Sequence, residues 1–335
     1  MTASASVTSN FLSGQDTPQR GSELTISSYY AKNPVLFMTF NRPAETSQVF
    51  SQIRKAKPKR LYVASDGARY NSKTDQENVM QVRQLVSEVD WDCEVFYLFQ
   101  DVNLGCRDGC SSALRWFFEH EEQGVILEDD CLPTSTFFRF CDEMLERFSD
   151  DDEITIIGGT NVYEHACPVD SLAVRLHYPI LWGWAGYRRL FLKYDTRVKI
   201  RSKLFLGLLL TRMHPMEKCF WIKMFLLLRF EYLNTWDFQL VFQMLVDKKK
   251  CIGSSTNLVS NIGFGEEATH TKNLNSTLSK LPVRNVVDDF STATLSSLDD
   301  KKLNAHMSSD QFRCRNPLVI IGSKILRIIK KFRLS

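Results

Sequence analysis

Gly124-Val125-Ile126-Leu127-Glu128-Asp129-Asp130 decides the fold: a short uncharged run is followed at once by three acids. The apolar run reads as a buried strand. Carboxylates leave water only when they are paired, hydrogen-bonded or bound to a cation. Acids at the end of such a strand point into the crevice where open α/β sheets bind ligands. The simplest use for them is a divalent metal holding a diphosphate; a solvated acidic turn is the plainer alternative.

Similar punctuation recurs on either side. Apolar residues 35–40 stop at Asn41-Arg42-Pro43, and Pro43 suits the first turn of a helix over 44–56. Leu61-Tyr62-Val63-Ala64 is a second strand, ended by Ser65-Asp66-Gly67. A polar helix over 75–89, a strand over 94–99 and a helix over 107–120 follow, with Cys110, Ala113, Leu114, Phe117 and Phe118 at helical spacing. Beyond the acids come an amphipathic helix, with a stripe from Phe137 to Phe148, and a strand over 154–157 closed by Gly158-Gly159. This alternation predicts an α/β fold, with a mostly parallel sheet flanked by helices. After about residue 170 it stops. Residues 203–246 read as an apolar helical region, 252–270 as a Gly/Ser/Asn-rich loop, and 271–316 as polar and loop-like. The expected organisation is a disordered N-terminus (1–30), an alternating α/β subdomain (31–175), a second subdomain (176–290) and a C-terminal tail (291–335).

Size and charge narrow the classes. The 335 residues, 44% hydrophobic, support one large domain or two small ones. A net charge of +3 gives no footprint for nucleic acid. Nine cysteines without a CxxC pair or zinc spacing favour a reducing compartment, and Cys106 and Cys110 read as packing thiols. The N-terminus lacks an apolar signal region and no apolar run reaches membrane-spanning length, which predicts a cytoplasmic protein. In the tail, Leu318, Ile321, Ile325, Ile328, Ile329 and Phe332 share one helical face and Lys324, Arg327, Lys330 and Lys331 the other. That is a basic amphipathic helix suited to an anionic membrane surface, or else an ordinary helix docked on the body. No GxGxxG follows the first strand and no GxxxxGK[ST] occurs, so dinucleotide and P-loop readings lose their support.

Four strand ends now converge on one sheet edge. They are Thr39-Phe40-Asn41-Arg42-Pro43, Ser65-Asp66-Gly67, Asn103-Leu104-Gly105-Cys106-Arg107 and Glu128-Asp129-Asp130. Here the chain resembles nucleotide-sugar glycosyltransferases of the GT-A fold, and most of all the inverting branch that includes the N-acetylglucosaminyltransferase I family. Residues 125–138 (VILEDDCLPTSTFF) carry the likeness, together with Trp182-Gly183-Trp184-Ala185-Gly186, Thr235-Trp236-Asp237, and Asn261-Ile262-Gly263-Phe264-Gly265 followed by His270. The resemblance implies that Asp130 contacts Mn2+ or Mg2+, with Asp129 and Glu128 toward the donor's ribose and sugar. It implies that Asp66 reads the uracil or ribose, that Asp237 is the catalytic base, and that the 261–270 loop folds over the donor, with His270 near metal or phosphate. Thr39, Asn41, Arg42, Arg107, Trp182, Gly183 and Trp184 complete the candidate donor contacts.

Plainer readings stay open beside these. Asp66 suits a turn, Asp237 a helix cap, His270 a solvated loop, and Trp182 and Trp184 a core. Arg42 and Arg107 suit phosphate, yet exposed arginines often hold nothing specific. The implied function is an inverting, metal-dependent glycosyltransferase moving a sugar from a nucleotide-diphosphate donor, with uridine as the base, to a glycan or lipid-linked acceptor. The alternatives are a non-catalytic, membrane-associated module that binds a sugar nucleotide and, ranked lower, a nucleotidyltransferase, which requires a Gly-rich loop after the first strand that residues 39–43 lack.

Overall fold

The computed structural model describes residues 29–164, 167, 171–192, 194–197, 215–264, 281–285, 290 and 295–299. The expected disordered N-terminus (residues 1–28 of it), His270 and the C-terminal amphipathic helix lie outside the described residues.

The first half follows the predicted alternation. It runs β1 (Val35–Thr39), α1 (Pro43–Ala56), β2 (Arg60–Ser65), α2 (Lys73–Val86), β3 (Glu94–Phe99), α3 (Gly105–His120), β4 (Gln123–Glu128), β5 (Cys131–Pro133), α4 (Ser135–Arg147) and β6 (Ile154–Gly158). Pro43 occupies the first turn of α1, where its missing N–H costs nothing. Thr134 caps α4 by accepting from the Phe137 N–H. The second half adds β7 (Ala173–Leu176), β8 (Trp184–Tyr187), α5 (Arg188–Phe191), α6 (Pro215–Arg229), α7 (Asp237–Val246), β9 (Lys250–Ser254), β10 (Val259–Asn261) and β11 (Leu295–Asp299).

Nine strands form one sheet in the order β11-β7-β9-β6-β8-β4-β1-β2-β3, and β10 and β5 form a separate two-stranded ribbon. The pairs β2–β3, β1–β2, β1–β4, β6–β9 and β7–β11 are parallel. Strand β8 runs antiparallel between β4 and β6, and β7 runs antiparallel to β9. Alternate residues of β1 face opposite layers. Leu36 and Met38 join a core with α3, α6 and α7, while Val35 and Phe37 join one with α1 and α4. Both faces of the sheet are therefore covered by helices, as the unbroken apolar strands require. Strand β3 forms one rim of the sheet, with Phe96 and Tyr97 exposed.

Strands β8 and β9 bond to strands of the first half, so one sheet spans residues on both sides of 175/176. Two expectations are corrected. The stretch 252–270, read as a loop, contains most of β9 and all of β10. The polar stretch 271–316 contributes strand β11. Among the described residues, no helix is long and apolar enough to cross a membrane.

Asp75 locks the start of α2 to the turn after β1. Its carboxylate accepts from Arg69 Nε at 2.5 Å, Arg69 Nη2 at 2.8 Å and Asn41 Nδ2 at 2.8 Å. The Arg69 side chain, opposed by burial, holds this carboxyl down to about 2. A depressed carboxyl stabilises the fold above the unfolded aspartate value and loses that contribution as pH falls through the folded value. We expect about 2 kcal/mol of stability to disappear between about pH 4 and pH 2, and Asp75→Asn to flatten that part of the profile. Urea denaturation of both proteins across this range measures it.

Candidate functional site

Topology gathers the site before any side chain is considered. Strands β1, β2, β3, β4, β6 and β9 point the same way, so their carboxyl ends share one edge. Strand β8 runs the other way, so its start lies on that edge: Trp184 pairs with Ile126 and with Gly158. This brings Trp182 and Gly183 beside the acids without any sequence proximity.

The acids close β4. Glu128 is its last residue, in register with Met38, and Asp129 and Asp130 form the turn into β5. Asp129 is buried, and its Oδ2 accepts from the Phe40 N–H at 3.0 Å. Arg42 Nη1 donates to Asp130 Oδ2 at 2.6 Å and stands 3.6 Å from Asp129 Oδ1. Burial, and next the neighbouring Asp130, push the Asp129 carboxyl up to about 7, while Arg42 and the Phe40 N–H pull against that rise. Burial would lower Arg42, but Asp129 and Asp130 hold its charge above the ordinary arginine value. Glu128 is driven well above the usual carboxylate range, first by burial, then by Asp130, Cys106, Asp129 and Asp237.

A chain segment lies directly on this corner. The Ile262 N–H donates to the Asp130 carbonyl at 2.8 Å, continuing the β5–β10 pairing of Cys131 with Asn261. A Cβ on Gly263 would stand 2.1 Å from Asp130 Oδ2 and 2.6 Å from Asp130 Cβ, so only glycine fits there. Phe264 then sets its ring edge-on to Trp182, with centroids 5.9 Å apart. Gly183 has a φ of +66°, and a side chain there would also meet Val259. Its place in the turn into β8 thus has a backbone cause.

Other expected donor contacts have structural work. Asp66 accepts from the N–H groups of Gly67 (2.9 Å), Leu104 (2.8 Å) and Gly105 (3.0 Å) and from Asn103 Nδ2 (2.9 Å). Four donors fill a carboxylate's capacity, so Asp66 shapes the β3–α3 loop. Burial raises its carboxyl more than the backbone donors lower it. Thr39 donates its hydroxyl to the Ala64 carbonyl, and Asn41 is tied to Asp75 and Asn78. Arg107 pairs with Asp108 at 3.1 Å and faces Glu231 at 3.9 Å, while its N–H reaches Asn234. Trp184 is 1% exposed and lies between Trp236 and Phe191, centroids 6.0 and 6.1 Å away. It packs in the core at the start of β8. Asn234 was not singled out in the sequence; a lone loop asparagine gives no signal of the α3 backbone it meets.

Asp237 opens α7. Its Oδ1 accepts from the Phe238 N–H at 2.8 Å and, over a short contact, from the Thr235 hydroxyl. Oδ2 accepts no hydrogen bond among the described residues. One oxygen thus serves the helix start, and the other is open to a proton.

Among the described residues, no three His, Cys, Asp or Glu side chains converge into a metal cage. Asp129 and Asp130 nonetheless fit a hard cation whose other positions are filled by phosphate and water, which needs only one or two protein carboxylates. The resident Arg42 contact marks the same spot as one that attracts positive charge.

No protein-family model matches the chain, and neither does any curated protein. Solved structures with some likeness include HddC from Yersinia pseudotuberculosis, at 9% identity over 49% of this chain and 80% of that one, TM-score 0.30. A UDP-glucose pyrophosphorylase complexed with UDP-glucose aligns at 10% identity over 67% and 90%, TM-score 0.33. The 4-diphosphocytidyl-2C-methyl-D-erythritolsynthase from Anaerococcus prevotii aligns at 8% identity over 67% and 87%, TM-score 0.31. Likeness at this level carries no argument about the reaction.

Removing the Asp66 carboxylate orphans the Leu104 and Gly105 N–H groups. Asp66→Ala should cost about 1–3 kcal/mol and selectively speed hydrogen exchange at those two amides. Unchanged exchange there would remove the loop-shaping role.

Proposed function

We propose that the chain is an inverting, metal-dependent glycosyltransferase that moves a sugar from a nucleoside-diphosphate donor to a hydroxyl of a glycan or lipid-linked acceptor. The observation that carries this reading is the pair Asp129 and Asp130, held against Arg42 at the carboxyl edge of a mostly parallel sheet, with Gly263 packed on Asp130. The sequence resemblance supplies the expectation of uridine as the base.

In this reading Asp130, with Asp129 beside it, would hold the divalent ion. When bound, that ion supplies charge to offset the negative charge growing on the departing diphosphate. Arg42 is placed to give a phosphate oxygen the planar, two-donor contact that guanidinium makes. On the opposite side of the sugar, Asp237 Oδ2 accepts the proton of the acceptor hydroxyl. The acceptor oxygen bonds to the anomeric carbon, the bond from that carbon to the diphosphate oxygen breaks, and its electron pair leaves with the diphosphate. One displacement inverts the anomeric centre. Phe264 on Trp182 covers the corner and limits water.

A panel of nucleotide sugars, each with Mn2+, with Mg2+ or with chelator, tests donor and metal together. A parallel mixture of nucleoside triphosphate and sugar 1-phosphate checks nucleotidyl transfer, and product there without any glycosyl transfer would replace this proposal. Asp130→Ala should lower donor turnover at least ~100-fold. Asp237→Asn should lower transfer about 10²–10⁴-fold while leaving the donor dissociation constant unchanged, as isothermal calorimetry would record. Full transfer by that variant would exclude Asp237 as the base.

A further inference from the structure

Helix α6 carries apolar residues on both sides. Its inward face, Trp221, Met224, Phe225 and Leu228, is buried in the core. A surface helix ordinarily turns a polar face outward. Here the outward positions are Cys219 and Leu226, followed by Phe230 just past the helix end, with Leu226 45% and Phe230 62% exposed. Tyr232, two residues on, is 70% exposed. Three of the large exposed apolar side chains thus crowd into seven consecutive positions.

Lys and Arg side chains accompany this strip, with Glu231 59% exposed between Phe230 and Tyr232. Lys223 and Arg229 lie along it, and among the described residues neither makes an ion pair. The nearby acids are engaged elsewhere: Glu217 accepts from the Tyr178 hydroxyl, and Glu231 faces Arg107. Leu and Phe flanked by uncompensated Lys and Arg are the composition of a helix that lies in an anionic lipid interface. The same chain leads through Tyr232 and Asn234, which accepts from the Arg107 N–H, to the start of α7.

We infer that the outward face of α6, with Phe230 and Tyr232, docks on the surface of an anionic phospholipid bilayer. Leu226, Phe230 and Tyr232 enter the headgroup boundary, and Lys223 and Arg229 meet lipid phosphates. Membrane attachment usually needs two signals. The basic, apolar sequence of residues 318–333 offers the other. The inference does not depend on the proposed reaction, since lipid contact and donor turnover are read separately.

The test is flotation of the full chain with vesicles of mixed phosphatidylglycerol and phosphatidylcholine, against phosphatidylcholine alone. Binding is expected only with the anionic lipid and should weaken as salt rises. Leu226→Ser combined with Phe230→Ser should lower vesicle affinity about tenfold or more, with melting temperature and solution donor hydrolysis unchanged. Lys223→Glu combined with Arg229→Glu should act in the same direction and flatten the salt dependence. Equal binding to neutral vesicles, no binding at all, or full binding by both double variants overturns the inference. So does a dimer, seen by light scattering, that the Ser substitutions dissociate, because the face would then belong to a second copy of the chain.

Discussion

Two adjacent carboxylates at the end of a buried strand repel each other, and the corner of this protein is organised around relieving that repulsion. Arg42 supplies the opposing charge and the Phe40 N–H the opposing dipole. Both come from the end of β1, the strand beside β4. The electrostatic need of β4 is thus met by the backbone and side chain of its neighbour, which fixes how the two strand ends meet. Removing one member of such a group would leave buried charge unpaired, which costs more than the intact group contributes.

The same principle holds the rest of the edge. Asp66 gathers the N–H groups of a loop from the next crossover, and Asp75 ties α2 back to Asn41. On the other flank, apolar stacking does the positioning. Trp184 rises from β8 against Trp236, the residue immediately before α7. The ring stack therefore sets where α7 begins, and with it the location of Asp237. Carboxylates fix the acid corner, and aromatic packing fixes the start of α7.

Much of the parallel half was legible in the sequence because each strand is an unbroken apolar run with a sharp polar stop. The second half was not, for reasons that differ by element. Strand β8, Trp-Ala-Gly-Tyr, follows a glycine in an aromatic, glycine-rich stretch without strand periodicity, and pairing on both sides makes it a strand. Strand β10 is three residues long and reads as polar. At the site, the acid triplet and the segment containing Gly263 were visible as motifs. Whether Asp66 met a ligand or its own loop was not, because its partner Leu104 lies 38 positions away. The burial of Trp184 was equally hidden, since Trp182, the same residue type two positions earlier, has different surroundings.

The rim position of β3 has a consequence beyond the site. Among the described residues its outer edge has no strand partner, and Phe96 and Tyr97 stand half in water beside it. Such a border is a template for strand addition by another molecule, and a charged residue at its start, here Glu94, is a usual deterrent. Self-association of this protein at high concentration would begin along that border, well before the helix-covered interior comes apart.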